Sequence, residues 1–386
     1  MAYQNVGAPR LYINELTWLK SMGVNITIST SSATWELNSG DMYNLLDSDP
    51  TNGVELLLAE ESHPGNDTFY IRNRDFPSAP GLNYFVAVLN HNFRSKSAYY
   101  RLDAFGANTD DYNQDNLPDN PQYSWYAYEP TKIINGENVA NTGYEPQHDG
   151  FSIATYTSQY TDRWRFQINP AGATEYNNPP DENGFFYNYT FGIPLKMGSI
   201  FIGQYFDMPH NANLNLSMTR SMDGIKTTRN RGGQDFNSIR YTKPPKWGNR
   251  GAWELFDPEN DIIEHQKFSK IGRRSWKLSF DFVNKNKMFP PTETQLSKII
   301  DTTGYTEGTD YLSNGEWYKH NKFLSHSDFY TQVVHKTNGL QNPVIFQADS
   351  NNNNPDQFAL VKIYNLNIQK INDSLFNVSM VLKEIW

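Results

Sequence analysis

From Leu375 onward the chain keeps a two-residue beat. Phe376, Val378, Met380, Leu382 and Trp386 are apolar, with Asn377, Ser379 and Lys383 between them. Successive side chains of a strand point to opposite faces, so one row is expected on a core and the other in water. Residues 341–386 read as three closing strands, with Trp386 tied down because loose termini are usually polar and frayed. The same beat runs through RRSWKLSFDF, where Trp276, Leu278, Phe280 and Phe282 are expected inward against Ser275, Lys277, Ser279 and Asp281. In LNLSMTR it sets Leu214, Leu216 and Met218 inward.

Between residues 46 and 207 lie short apolar runs of strand length: GVELLLAEE, DTFYIRN, NYFVAVLNHNF, SAYYRLDAFG, FSIATYTS, DRWRFQI, FFYNYTFGI and GSIFIGQYFDMP. Clusters of Pro, Gly, Asn and Asp separate them, which is the all-β pattern. NITIST and ATWELN alternate like a hairpin. Residues 107–149 are poor in apolar residues and read as a long excursion with a small hairpin near Tyr123–Tyr128. LYINELTWLKSMG, after Pro9, fits a helix ended by Gly23, though Tyr12 and Ile13 also allow a strand. SHSDFYTQVVHKTNG is the best helix: Ser325 or Ser327 can cap it, Phe329 and Val333 share a face, and Asn338-Gly339 stops it. A helix set between the halves of an antiparallel sheet suggests a small β-barrel with one packed helix.

The 386 residues are 38% hydrophobic, 15% aromatic and only 19% charged. Solubility then rests on neutral polar side chains, which suits all-β and assembling proteins and not a long helical one. The length favours two domains. The boundaries drawn are 1–45, an N-terminal segment that can add strands to the last domain, then 46–207, then 208–386. A net charge of −9 argues against a duplex nucleic-acid binder. With no cysteine, disulfides, zinc–thiolate sites and a cysteine nucleophile are excluded. The N-terminus lacks a signal-peptide pattern and no apolar run reaches membrane-spanning length, so a soluble protein made in a cytoplasm is expected.

Asp111, Asn113 and Asp115 space oxygen ligands by two, with Asp119 a further carboxylate, a pattern that can wrap Ca²⁺. The stretch resembles thrombospondin-type calcium loops, with Asn116 where glycine is expected. The same residues are ordinary turn formers, and a polar surface loop is the plainer reading. No other metal or cofactor is expected: the eight histidines are scattered, and His91 is expected to bond inside a strand end. There is no G-x-S-x-G elbow, Walker loop or G-x-G-x-x-G, so no enzyme is expected. Trp125, Tyr126 and Tyr128 crowd a polar loop and fit sugar stacking or, ahead of it, a subunit contact. Arg229, Arg231, Lys243, Lys246, Arg250, Arg273 and Arg274 make a basic stretch, either a contact to an acidic subunit or a solvated rim.

Three parts of the chain carry a resemblance. NVGAPRLYINELTWLKSMG resembles the start of tail proteins of marine bacteriophages. FVAVLNHNF with KMGSIFIGQYFDMPH resembles a discoidin-type, galactose-binding-like jelly roll. NLNLSMTRSMDGIKTTRNRGGQDF, YTKPPKWGNRGAWELF, RRSWKLSFDF and the closing strands are similar to the C-terminal half of the same phage proteins. The resemblance implies a distal-tail-like protein of the virion, assembled in the host cytoplasm. It implies a jelly-roll sandwich over 46–207 and a tail-tube-like barrel over 208–386. It further implies a ring, expected as a hexamer, at the tube–baseplate junction. Its neighbours would be the tail tube protein, the tail hub and receptor-binding or fibre proteins. Trp247, Arg250, Trp253 and Trp386 would lie at subunit interfaces. In typical distal tail proteins the barrel comes first, whereas here it comes last. The alternative is an adhesion module gripping host-surface glycan through the Trp125–Tyr128 loop, with Ca²⁺.

Overall fold

The computed structural model describes residues 6–30, 35–58, 68–72, 83–96, 98–106, 126–128, 130–139, 143–157, 163–170, 195–213, 216–221, 225–239, 273–289 and 328–385. The chain is mainly β, built on large antiparallel sheets. In order, its strands are β1 (Arg10–Asn14), β2 (Thr27–Thr30), β3 (Trp35–Ser39), β4 (Val54–Leu58), β5 (Thr68–Arg72), β6 (Asn83–His91), β7 (Ala98–Gly106) and β8 (Tyr126–Tyr128). Next come β9 (Lys132–Ile134), β10 (Glu137–Val139), β11 (Gly143–Glu145), β12 (Gly150–Thr157), β13 (Arg163–Pro170), β14 (Leu195–Met197) and β15 (Ser199–Asp207). The last are β16 (Ser217–Ser221), β17 (Ile225–Arg229), β18 (Asp235–Ile239), β19 (Arg273–Asn284), β20 (Val344–Gln347), β21 (Phe358–Lys370) and β22 (Leu375–Glu384). The elements gather into two units: Met1–Tyr12 with Asp207–Lys285 and Leu340–Trp386, and Ile13–Phe206 with Asn286–Gly339.

In the first unit the strand order is β16-β19-β22-β21-β20-β1. The closing alternation forms its centre. Trp276, Leu278 and Phe280 of β19 stand opposite Leu382, Met380 and Val378 of β22, and all six are buried. Each such side chain contributes about 1.5–3 kcal/mol through the apolar area it removes from water. The beat fails at one place. The register slips between Phe280 and Val283, where Phe282 takes φ 59° and is 65% exposed while Val283 turns inward. One extra residue in a strand shifts its parity, and that bulge overturns the inward reading of Phe282.

Leu216 and Met218 are also not covered, at 51% and 52% exposed, although Met218 stands directly opposite the buried Trp276. Among the described residues β16 ends the sheet, so one flank of its inward-facing side has no described neighbour. Leu214 lies outside the described residues. The N-terminal stretch is pinned in this unit. The Gly7 N–H donates to Asp349 Oδ1 at 2.7 Å, Tyr12 OH donates to Gln347 Oε1 at 2.8 Å, and Arg10 forks onto Asp207 at 2.5 and 2.9 Å.

The second unit holds three strand arrays: β15-β6-β12-β9, β10-β11-β7-β13-β5-β2 with β8 on β7, and β14-β4-β3. Strands β2 and β3 do not form the expected hairpin; β2 pairs with β5 and β3 with β4. Their alternation marks strands, but partner choice is made by distant residues. The far end of the expected 107–149 excursion carries β9, β10 and β11. After β1 comes helix α1 (Glu15–Ser21), so LYINELTWLKSMG is a strand followed by a helix. Asn14 accepts from the Leu16 N–H to start α1, and Gly23 at φ +81° ends it.

The C-terminal helix is shorter than expected, a π-helix at Tyr330–His335. Asp328 accepts from the Thr331 N–H at 2.8 Å. Ser325 and Ser327 lie outside the described residues. Phe329 and Val333 are fully buried, and Asn338 and Gly339 take positive φ as the stop requires. Leu16, Trp18, Val86, Val88, Tyr156 and Trp164 belong to one buried cluster. Gly203 is needed in this unit: a Cβ there would lie 2.1 Å from the Ile13 carbonyl oxygen and 2.9 Å from Glu15 Cγ.

Candidate assembly surface

A strand at the end of a sheet leaves a row of N–H and C=O groups open to another chain. Among the described residues β16 is such a strand. Its inner rung is set by β19, with Ser217, Met218 and Thr219 opposite Lys277, Trp276 and Ser275. Close behind it in sequence, β17 and β18 form a two-stranded ribbon of their own. The ribbon turns at Asn230–Gly233, where Asn230 Oδ1 accepts from the Gln234 N–H and Gly233 has φ +84°. Thr227, Thr228, Arg229, Asp235, Phe236 and Asn237 are all exposed, Phe236 at 55%. A lone two-stranded hairpin is marginally stable in water. The Arg229–Asp235 pair at 3.6 Å adds little, because both side chains are well exposed.

Across β19, β22 and the start of β21 the sheet is locked. Arg274 is not part of a solvated basic rim. It is 7% exposed and donates to Glu384 Oε1 from Nη2 at 2.8 Å and from Nε at 3.2 Å. Its Nη1 donates to the Asp356 carbonyl and its Nη2 to that of Phe358 at 2.6 Å, while the guanidinium lies 5.1 Å over the Trp276 ring. The Arg274 N–H also donates to Glu384 Oε2 at 2.8 Å. Every branch of the fork is used, which is the geometry arginine offers and lysine does not.

The second unit buries a different charge pair. Lys336 Nζ donates to Glu15 Oε1 at 2.5 Å, Gln332 Oε1 at 2.8 Å and Gln204 Oε1 at 3.0 Å, with both charged groups 0% exposed. All three ammonium donors are satisfied. Burial pushes the Glu15 carboxyl above its ordinary range, opposed by Lys336, and the same burial lowers Lys336, opposed by Glu15. Trp18 stands 5.9 Å from the ammonium.

His91 bonds at a strand end, as expected. Its ring stacks on Phe93 at 4.3 Å, its Nδ1 accepts from the Phe93 N–H, and Nε2 donates to Ser152 Oγ at 2.9 Å. Ser152 donates onward to the Asn135 carbonyl. Serine and imidazole are both buried, so the pair fastens the Asn135 turn. Burial, then repulsion from His148, lowers the His91 pKa to about 3. Folded His91 therefore stays neutral where the unfolded chain takes up a proton near pH 6.5. Its contribution to stability is present above that pH and is lost as pH falls toward 3. Replacing His91 with Gln is expected to flatten the acid limb of urea midpoints measured from pH 7 to pH 4, and an unchanged limb would contradict this.

Tyr126 and Tyr128 lie in β8, opposite Gly106 and Ala104 of β7. Asp111, Asn113, Asp115, Asp119, Trp125, Trp247, Arg250, Trp253 and Trp386 lie outside the described residues. Among the described residues no cluster of His, Asp and Glu is placed to hold a metal ion, and no helix is long and apolar enough to cross a membrane. Sequence reasoning missed Glu15, Lys336 and Glu384. A signal existed for Glu384, which continues the row of Phe376, Val378, Met380 and Leu382. No protein-family model matches the chain, and no curated protein matches it.

Proposed function

We propose that the chain is a structural protein of a phage tail that assembles as a ring at the junction of tube and baseplate. In this reading the first unit is a tail-tube-like barrel domain that makes the ring contacts. The second unit carries a jelly-roll module facing outward, toward receptor-binding or fibre proteins. Six copies, a tail tube protein above and a hub below are the expected neighbours, in a virion assembled in the host cytoplasm. The product of such a chain is a shape, and no catalytic residue is assigned.

The observation that carries the reading is that β16 ends the first unit's sheet among the described residues. Strand β16 leaves Met218 half exposed opposite buried Trp276, and the ribbon that follows it in sequence has no third strand among the described residues. Both deficits are met by pairing with a neighbouring copy, which extends the ladder and covers the apolar side. An inward-pointing charge on an edge strand is a natural device against such pairing. The wild-type chain is therefore expected to sediment as a closed ring and to show rings in negative stain. Met218→Lys is expected to disperse them to monomers with an unchanged far-UV spectrum. Rings formed equally by Met218→Lys would remove β16 from the interface, and a wild type that stays monomeric would remove the ring.

A further inference from the structure

The outward face of the first unit's sheet carries a second feature. Residues directly opposite one another on paired strands share a face. One rung runs Thr219, Ser275, Lys383, Lys362 across β16, β19, β22 and β21; the next runs Ser217, Lys277, Val381, Tyr364. The two rungs hold lysines at 277, 362 and 383 and no carboxylate. Lys362 and Lys383 stand directly opposite each other, a like-charge pairing that weakens a sheet. Lys383 reaches 5.1 Å over the Tyr364 ring, itself 39% exposed. The other residues of these rungs are small hydroxyls and a valine, so this part of the face is cationic and partly apolar. A chain of net charge −9 that keeps a destabilising lysine pair in register has a use for an anionic partner there.

The second unit offers the complement. Between β3 and β4, Gly40 packs against Gly53, which brings residues 39–41 beside 53–55. Asp41, Asp47, Asp49 and Glu55 lie on this stretch, none of them buried, with Leu37 and Tyr43 exposed at 48% and 49%. Lys20 answers Asp47 at 3.1 Å, and residues 37–55 hold no lysine or arginine of their own, so the stretch stays acidic. Resting on the assembly reading above, we infer that the lysine face of one copy docks on the acidic 37–55 surface of the next. The contact is heterologous, the kind that closes into a ring when its rotation permits. Charge complementarity sets partner choice and register more than affinity, so the contact orients copies that β16 holds.

Complementary reversals test it by sedimentation velocity. Variant A carries Lys277→Glu, Lys362→Glu and Lys383→Glu. Variant B carries Asp47→Lys and Glu55→Lys. Each alone sets like charge against like and is expected to associate about tenfold more weakly than wild type at 0.15 M salt, with the loss growing at lower salt. An equal mixture of A and B pairs acid with base at every contact and is expected to restore association. Circular dichroism checks that both variants are folded. If A associates as wild type does, or if the mixture stays dispersed while wild type forms rings, the docking is wrong and the assembly reading stands. If wild type itself stays monomeric, both fall. A wild type retained on a DNA column, with A released and self-association unchanged, would assign the lysines to a polyanion and overturn the docking.

Discussion

Lys336→Met is expected to lower stability by about 3–5 kcal/mol, because removing one partner of a fully buried pair strands the other charge. Glu15 would remain 0% exposed with no counterion, and the carbonyl oxygens of Gln204 and Gln332 would lose their donor. The pH dependence carries a definite sign. Burial already raises the Glu15 pKa, and losing Lys336 removes the charge and the hydrogen bond that oppose the rise. The folded variant then binds a proton more tightly than the unfolded chain does. Its deficit should be largest near neutral pH and shrink as pH falls toward the ordinary glutamate range. The double variant Glu15→Leu with Lys336→Met should recover about half of the loss, since apolar replacement of a buried pair is often tolerated but two amide oxygens stay unpaired. Urea unfolding of the four proteins as a double-mutant cycle gives the coupling. Strictly additive losses would show that the pair does not act as a pair.

Arg274→Met should be comparably severe, about 3–5 kcal/mol, for the same physical reason in the first unit. Glu384 is 4% exposed, and the carbonyls of Asp356 and Phe358 take their hydrogen bonds from the guanidinium. Arg274→Lys keeps the charge but cannot fork to Glu384 while also reaching two carbonyls, so it should recover less than half of the loss. Hydrogen exchange should place the weakness at the β19–β22 register around Trp276 and Leu382, with the second unit's amides unchanged. A lysine variant as stable as wild type would mean that charge alone matters here.

These two clusters show what alternation can and cannot reveal. Period-2 reading placed Trp276, Leu278, Phe280, Val378, Met380 and Leu382 on the core because parity is local. It failed at Phe282, since a bulge shifts parity and a phenylalanine at φ 59° leaves no mark in the sequence. It failed at Met218 for another reason. Which strand ends a sheet is decided by the whole topology, so an inward position can be right in parity and still be uncovered. The paired charges were partly legible. Glu384 falls in step with Leu382, and Arg274 in step with Trp276, so both rows end on a charge that needs the other. Lys336 likewise keeps helical step with Phe329, Gln332 and Val333, which marks it as inward. That its partner is Glu15, 321 positions away, is a fact of tertiary structure. The partners of β2 and β3 were hidden for the same reason, because alternation carries no address.

Pairing through β16 is read most directly by hydrogen–deuterium exchange on assembled and dispersed protein. The dispersed reference is Met218→Lys at the same concentration and salt. In assembled wild type the amides of β16 and β17 should be protected by at least an order of magnitude over the dispersed chain, because a neighbour's strand takes up their open N–H groups. Protection in β6 and β12, which are paired within the second unit, should not change. Assembled protein whose β16 and β17 amides exchange as fast as those of the monomer would contradict edge pairing.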